Sequence, residues 1–154
     1  MPYLNASYSI DFSQSALYGH SLGGTFTHYA AFQSDLFENQ PFQYYIIGSP
    51  AFWSPYFLES ESNPPEYQTE YGYFDRNTSF NKILYVCGGE QEDADYASYY
   101  GENDSTLEGI THLMERLKAD GVTTAECKIY ADSNHYAYIP EMFQTFFLQF
   151  YRHA

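Results

Sequence analysis

The apolar run Ser15-Ala16-Leu17-Tyr18 gives way at Gly19 to a segment in which Leu22, Phe26, Tyr29, Ala30 and Gln33 recur at helical spacing, with Gln33 the polar member. A strand, a sharp turn and a helix are therefore predicted at the start of the chain. Phe42 to Ile47 is a second β-rich run, stopped by Gly48-Ser49-Pro50 and followed by the aromatic stretch Ala51-Phe52-Trp53. From residue 54 to 81 the chain is polar and punctuated by Asn63-Pro64-Pro65, which reads as a long lid-like excursion with room for a further helix. Lys82 to Cys87 is a continuous apolar run before Gly88-Gly89, the pattern of a strand buried on both faces. Ser105-Thr106-Leu107-Glu108 has the form of a capping box. Leu107, Ile110, Met114 and Leu117 share a face behind it, and Gly121 is placed to end that helix. A fourth strand is predicted over Thr124 to Tyr130. A last helix follows, with Pro140 in its first turn and Met142, Phe143, Phe146, Phe147 and Phe150 on its apolar face. The order β-α-β-β-α-β-α predicts an α/β fold, a mainly parallel sheet covered by helices, in a single domain over 1–154.

Composition sharpens this picture. At 154 residues, with 44% hydrophobic and 21% aromatic residues, the chain has enough apolar surface for a core without disulfide or metal staples. Twenty acidic against 6 basic residues give a net charge of -14, which repels phosphate backbones and anionic lipid headgroups, so neither nucleic acid nor a membrane surface is an expected partner. No apolar run is long enough to cross a membrane, and Met1-Pro2-Tyr3-Leu4-Asn5 lacks the start of a signal peptide, so a soluble, by default cytoplasmic, chain is expected. Cys87 and Cys127 lie in separate predicted strands without C-x-x-C spacing. Buried free thiols are expected, and neither a metal site nor a cofactor is indicated.

The turn carries the chemistry. Gly19-His20-Ser21-Leu22-Gly23 is a G-x-S-x-G sequence between a predicted strand and helix, the form of a nucleophile elbow. The elbow strains the serine backbone and leaves space only for very small residues two positions to either side. A serine hydroxyl needs a base, most often a histidine oriented by a carboxylate. In chain order Ser, acid, His, the histidine that follows the fourth strand is His135. Glu90, Glu92 and Asp93, just beyond the third strand, are the candidate acids. One of them is expected to point inward and the others to be solvated.

These residues resemble the putative esterases of the α/β-hydrolase fold that include enterochelin-esterase-like and feruloyl-esterase-like proteins. The carriers are Gly19-His20-Ser21-Leu22-Gly23-Gly24, Ile47-Gly48-Ser49-Pro50-Ala51-Phe52-Trp53, Val86-Cys87-Gly88-Gly89-Glu90, and Asn134-His135 with Pro140 shortly after. The resemblance implies Ser21 as nucleophile, His135 as base and Glu90 as acid, the Leu22 N–H as an oxyanion donor, and His20 and Trp53 against substrate. It implies hydrolysis of a small-molecule carboxylic ester through an acyl-enzyme. The alternatives are thioester hydrolysis or acyl transfer, or a truncated remnant that binds without turnover. Relatives place several strands and a second oxyanion donor ahead of the serine, whereas 20 residues precede it here, so the chain corresponds to the C-terminal half of such a fold. The elbow strand is then an open sheet edge, through which self-association is expected.

Overall fold

The computed structural model describes residues 6–54 and 70–151, apart from the side chain of Tyr71. Of the predicted excursion over 54–81, residues 55–69 lie outside the described residues. Four parallel strands, β1 (Ala16–His20), β2 (Tyr44–Gly48), β3 (Ile83–Gly89) and β4 (Ala125–Tyr130), lie side by side in sequence order. Leu17 is in register with Tyr45, Ile47 with Val86, and Val86 with Cys127. Among the described residues the helices α1 (Leu22–Phe32), α2 (Glu70–Arg76), α3 (Glu92–Tyr100), α4 (Thr106–Ala119) and α5 (Ile139–Phe150) connect and cover them.

All five residues of β2 are buried, and β3 is buried from Leu84 onward, because each face of the sheet carries a helix layer. On one face Tyr45, Ile47, Leu84 and Val86 pack against Ala31 and Phe32 of α1 and Ile110, Leu113 and Leu117 of α4. On the other, Tyr44, Ile46, Tyr85 and Cys87 pack against Tyr138, Met142 and Phe146 of α5 and its entry. The capping box of α4 is formed as expected: the Ser105 N–H donates to Glu108 Oε2 at 2.9 Å and the Glu108 N–H to Ser105 Oγ at 3.2 Å. Gly121, at φ 76°, lies just past the helix end.

Three local expectations are corrected. The stripe Leu22, Phe26 and Tyr29 of α1 faces outward, at 56%, 60% and 42% exposure. The buried face instead carries Gly24, Thr27, His28, Ala31 and Phe32. Close approach decides this: a Cβ on Gly24 would lie 2.5 Å from the Gly48 carbonyl oxygen, so the helix meets the sheet through its small residues. The acidic segment after β3 is a helix, α3, rather than a solvated loop. Its Glu92, Asp93 and Asp95 lie in the first turn, where negative charge is favoured, but it has no apolar stripe to announce it. Of the two free thiols, Cys87 is buried and Cys127 is exposed, because β4 is an edge strand with mostly uncovered side chains. No helix among the described residues is long and apolar enough to cross a membrane.

Candidate active site

Ser21 sits between the end of β1 and the start of α1 at φ 59°, ψ −122°, a conformation that an L-residue adopts only under constraint. Its N–H donates to the Gly48 carbonyl at 3.0 Å, and its own carbonyl accepts from the Thr25 N–H at 3.1 Å and the Ala51 N–H at 3.3 Å. These bonds pin the turn from both sides. A Cβ on Gly19 would lie 1.9 Å from the Gly23 carbonyl oxygen, so position 19 admits only glycine. The second tight position is not Gly23, whose Cβ would meet nothing within 4 Å, but Gly24.

His135 reaches the same region from the loop after β4. Asn134 shapes that loop, its Oδ1 accepting from the N–H groups of Tyr136 at 3.0 Å and Ala137 at 2.9 Å. The loop packs on the end of β3 at Gly89, where a Cβ would lie 2.4 Å from the Ser133 carbonyl oxygen. The imidazole is buried, with Nδ1 2.9 Å from Oε2 of the fully buried Glu92. A carboxylate there places the proton on Nδ1 and leaves Nε2 as the basic nitrogen.

The acid beside His135 is thus Glu92 and not Glu90. Glu90 is exposed, and its Oε2 accepts from the Asp132 N–H at 3.0 Å, bracing the loop. Asp93 accepts from Ser105 Oγ at 2.6 Å and from the Leu107 N–H at 3.2 Å, holding the start of α4. The α3 helix decides between the three, because its first turn aims position 92 back under the sheet end. There Oε1 accepts from the Gly89 N–H at 2.5 Å.

Two further residues belong to this constellation. Ser49 Oγ donates to Glu92 Oε1 at 2.6 Å and lies 2.6 Å from the Tyr138 hydroxyl. Since the serine proton is committed to the carboxylate, Tyr138 donates to Ser49. Burial pushes the Tyr138 pKa well up, so that donor stays protonated. Ser49 is itself held at φ 42°, its N–H on the Cys87 carbonyl at 2.7 Å. In the sequence Gly48-Ser49-Pro50 stops a strand and belongs to the segments that carry the resemblance, with no role assigned to Ser49; a polar residue at the C-terminal end of a central strand is the available signal. His20 Nε2 lies 2.8 Å from the His135 carbonyl oxygen, so Nε2 carries the proton. Burial is the largest influence on His20 and lowers its pKa, which keeps the ring neutral.

Ser21 and His135 line one cavity of about 370 Å³ together with Leu22, Trp53, Tyr96 and Tyr99. Trp53, half-buried, is one of its lining residues, whereas His20 holds the His135 carbonyl and is not among them. Among the described residues, no group of three His, Cys, Asp or Glu side chains is placed to hold a metal ion.

No family model matches the chain, and no curated protein sequence matches it. Solved structures do. A siderophore hydrolase, EstA, from Aspergillus nidulans aligns at 22% identity and a TM-score of 0.60 over 86% of this chain and 46% of its own. The BES protein from Bacillus cereus aligns at 22% and 0.63 over 94% and 48%. The enterobactin and salmochelin hydrolase IroE aligns at 20% and 0.54 over 96% and 50%. The chain spans about half the length of each of these structures, and over that half it has their α/β-hydrolase fold.

Proposed function

We propose that the site is that of a serine hydrolase which cleaves carboxylic esters through an acyl-enzyme. The observation that carries this reading is the strained Ser21 opening onto the same cavity as a buried histidine whose far nitrogen rests on a buried carboxylate. Nothing in packing alone calls for that combination at three strand ends. Its structural neighbours include a siderophore hydrolase and an enterobactin and salmochelin hydrolase, which supports hydrolytic chemistry in general terms.

In this mechanism Ser21 Oγ attacks the ester carbonyl carbon while His135 Nε2 takes its proton. The imidazolium is stabilised by Glu92 through Nδ1. Collapse of the tetrahedral intermediate breaks the bond to the alcohol oxygen, which leaves with the proton from Nε2. Water, deprotonated by the same nitrogen, then attacks the acyl-enzyme, and Ser21 recovers its proton as the acid leaves. The developing oxyanion meets the Leu22 N–H and the positive end of α1. A second donor normally comes from a loop after an earlier strand, and no strand precedes β1 among the described residues. Such a donor typically contributes about 2.7–4 kcal/mol of transition-state stabilisation. Anionic esters are disfavoured by the net charge of -14.

A fluorophosphonate tests the reading directly. Stoichiometric labelling at Ser21 is expected, lost in Ser21→Ala and strongly slowed in His135→Ala, with hydrolysis of a short p-nitrophenyl ester falling in parallel. An unlabelled wild type would leave the binding remnant as the better reading. Faster product release with an added alcohol acceptor would favour acyl transfer.

A further inference from the structure

Beside Ser21 the cavity wall is an arc of aromatic rings that the proposed chemistry does not use. The Tyr96 ring centre lies 4.7 Å from that of His135, Tyr99 follows 5.8 Å from Tyr96, and Trp53 lies 6.2 Å from Tyr99. All of them line the cavity. The Tyr96–Tyr99 and Tyr99–Trp53 pairs are tilted, at 45° and 41°, so the rings do not cover one another by stacking. Ring faces attract a cation within about 6 Å of their centres, and with this spacing a cation seated between two neighbours is in reach of both.

The electrostatics point the same way. Among the described residues no Lys or Arg lines the cavity. The first turn of α3, just ahead of Tyr96, carries Glu92, Asp93 and Asp95. The Tyr96 hydroxyl has its pKa raised, first by Tyr136 beside it and by burial, and then by the carboxylates of Asp95 and Glu92, the two negative charges that act on it. A neutral apolar group gains only burial against such a wall. A quaternary or protonated amine gains the ring faces and the field as well, and an anion is opposed by both.

We propose that the arc Trp53, Tyr99 and Tyr96 is an ammonium subsite, and that the esters cleaved at Ser21 carry a quaternary or protonated amine in the part that lies against α3. The ester half of this inference rests on the serine-hydrolase reading; the ammonium subsite itself does not. Trp53 is the sole tryptophan of the chain, so its fluorescence reports on the arc without any turnover. Titration with N-methylpyridinium, a cationic quencher, should give saturable quenching, against linear quenching by neutral acrylamide. Tyr99→Leu keeps the net charge and should lose the saturation, whereas Tyr99→Phe should keep it. Linear quenching by the cation, or saturation unchanged in Tyr99→Leu, would overturn the subsite whatever the enzyme hydrolyses. Butyrylcholine should then exceed its carbon isostere, 3,3-dimethylbutyl butyrate, in kcat/KM by about tenfold, with the ratio falling in Tyr99→Leu and at high salt. Equal rates for the two esters would overturn the substrate class while leaving the esterase reading intact. Saturable quenching without hydrolysis of either ester, and without labelling of Ser21, would leave the subsite and remove the esterase reading.

Discussion

Glu92 carries three hydrogen bonds on a carboxylate with no exposure to solvent: from His135, from Ser49 and from the Gly89 N–H. A carboxylate so held has one orientation, and it presents a single oxygen to the imidazole. Under the proposed mechanism Glu92→Gln should lower the acylation rate by roughly two orders of magnitude or more, because an amide can force the wrong imidazole tautomer. Glu90→Gln should leave the rate within about twofold of wild type, since Glu90 only braces the neighbouring loop; pre-steady-state labelling rates separate the two variants. Ser49 gives a finer test. Removing its hydroxyl takes a donor from Glu92 and an acceptor from Tyr138, so Ser49→Ala and Ser49→Gly should both reduce acylation, by roughly tenfold. They should differ in stability: at φ 42° alanine is strained and glycine is not, so Ser49→Gly should be the more stable by about 1 kcal/mol in urea denaturation. Equal denaturation midpoints would show that the strain at Ser49 is not stored in the folded state.

At the scale of elements, α2 is tied to the core by an unusual device for a short helix. Its Glu70 is fully buried and pairs with His28 of α1 at 3.0 Å and with Arg116 of α4, linking three helices on one face of the sheet. Burial alone would raise the Glu70 pKa. The hydrogen bonds and charges of His28 and Arg116 outweigh it and bring the value from 4.5 down to about 2. A carboxylate depressed in the folded state stabilises it fully above its unfolded pKa and loses that contribution as pH falls from about 4.5 through about 2. Glu70→Gln should therefore cost about 3 kcal/mol near neutral pH, and the gap from wild type should close across that acid window. Denaturation midpoints measured between pH 7 and pH 2 check it; a constant gap would mean that packing of α2, not the charge, is what Glu70 supplies.

At the scale of the molecule the two sides of the sheet differ in finish. β2 is wholly buried, whereas every residue of β1 is partly exposed along an edge that no strand pairs among the described residues. Phe26 and Tyr29 of the outward stripe and Phe37, at 60% exposure, border a groove of about 200 Å³. Exposed apolar surface and an open strand edge each favour association. Sedimentation equilibrium at low micromolar concentration should show self-association, and Phe26→Lys should shift it toward monomer. A wild type that stays monomeric and unfolds cooperatively would refute this.

Strands, the capped helix α4 and the Pro-started helix α5 were legible because each is encoded locally, by apolar periodicity and by residues that satisfy the backbone at its ends. The same holds for Ser21 and His135, whose positions follow from a short motif and from order along the chain. The acid was not decided locally. Three carboxylates lie within four residues, and only the turn of α3 under the end of β3 aims Glu92, rather than Glu90, at the imidazole. Nor did periodicity predict which face of α1 is buried, because close backbone approach at Gly24 outranks the apolar stripe once the helix meets the sheet. What the sequence alone determined about this protein is the order of its four strands and of the helices α1, α4 and α5, and the choice of Ser21 and His135 as candidates, since those rest on neighbours in the chain. The tertiary structure alone decided the carboxylate, its Ser49–Tyr138 support and the aromatic arc, since each depends on side chains brought together from strands and helices dozens of residues apart.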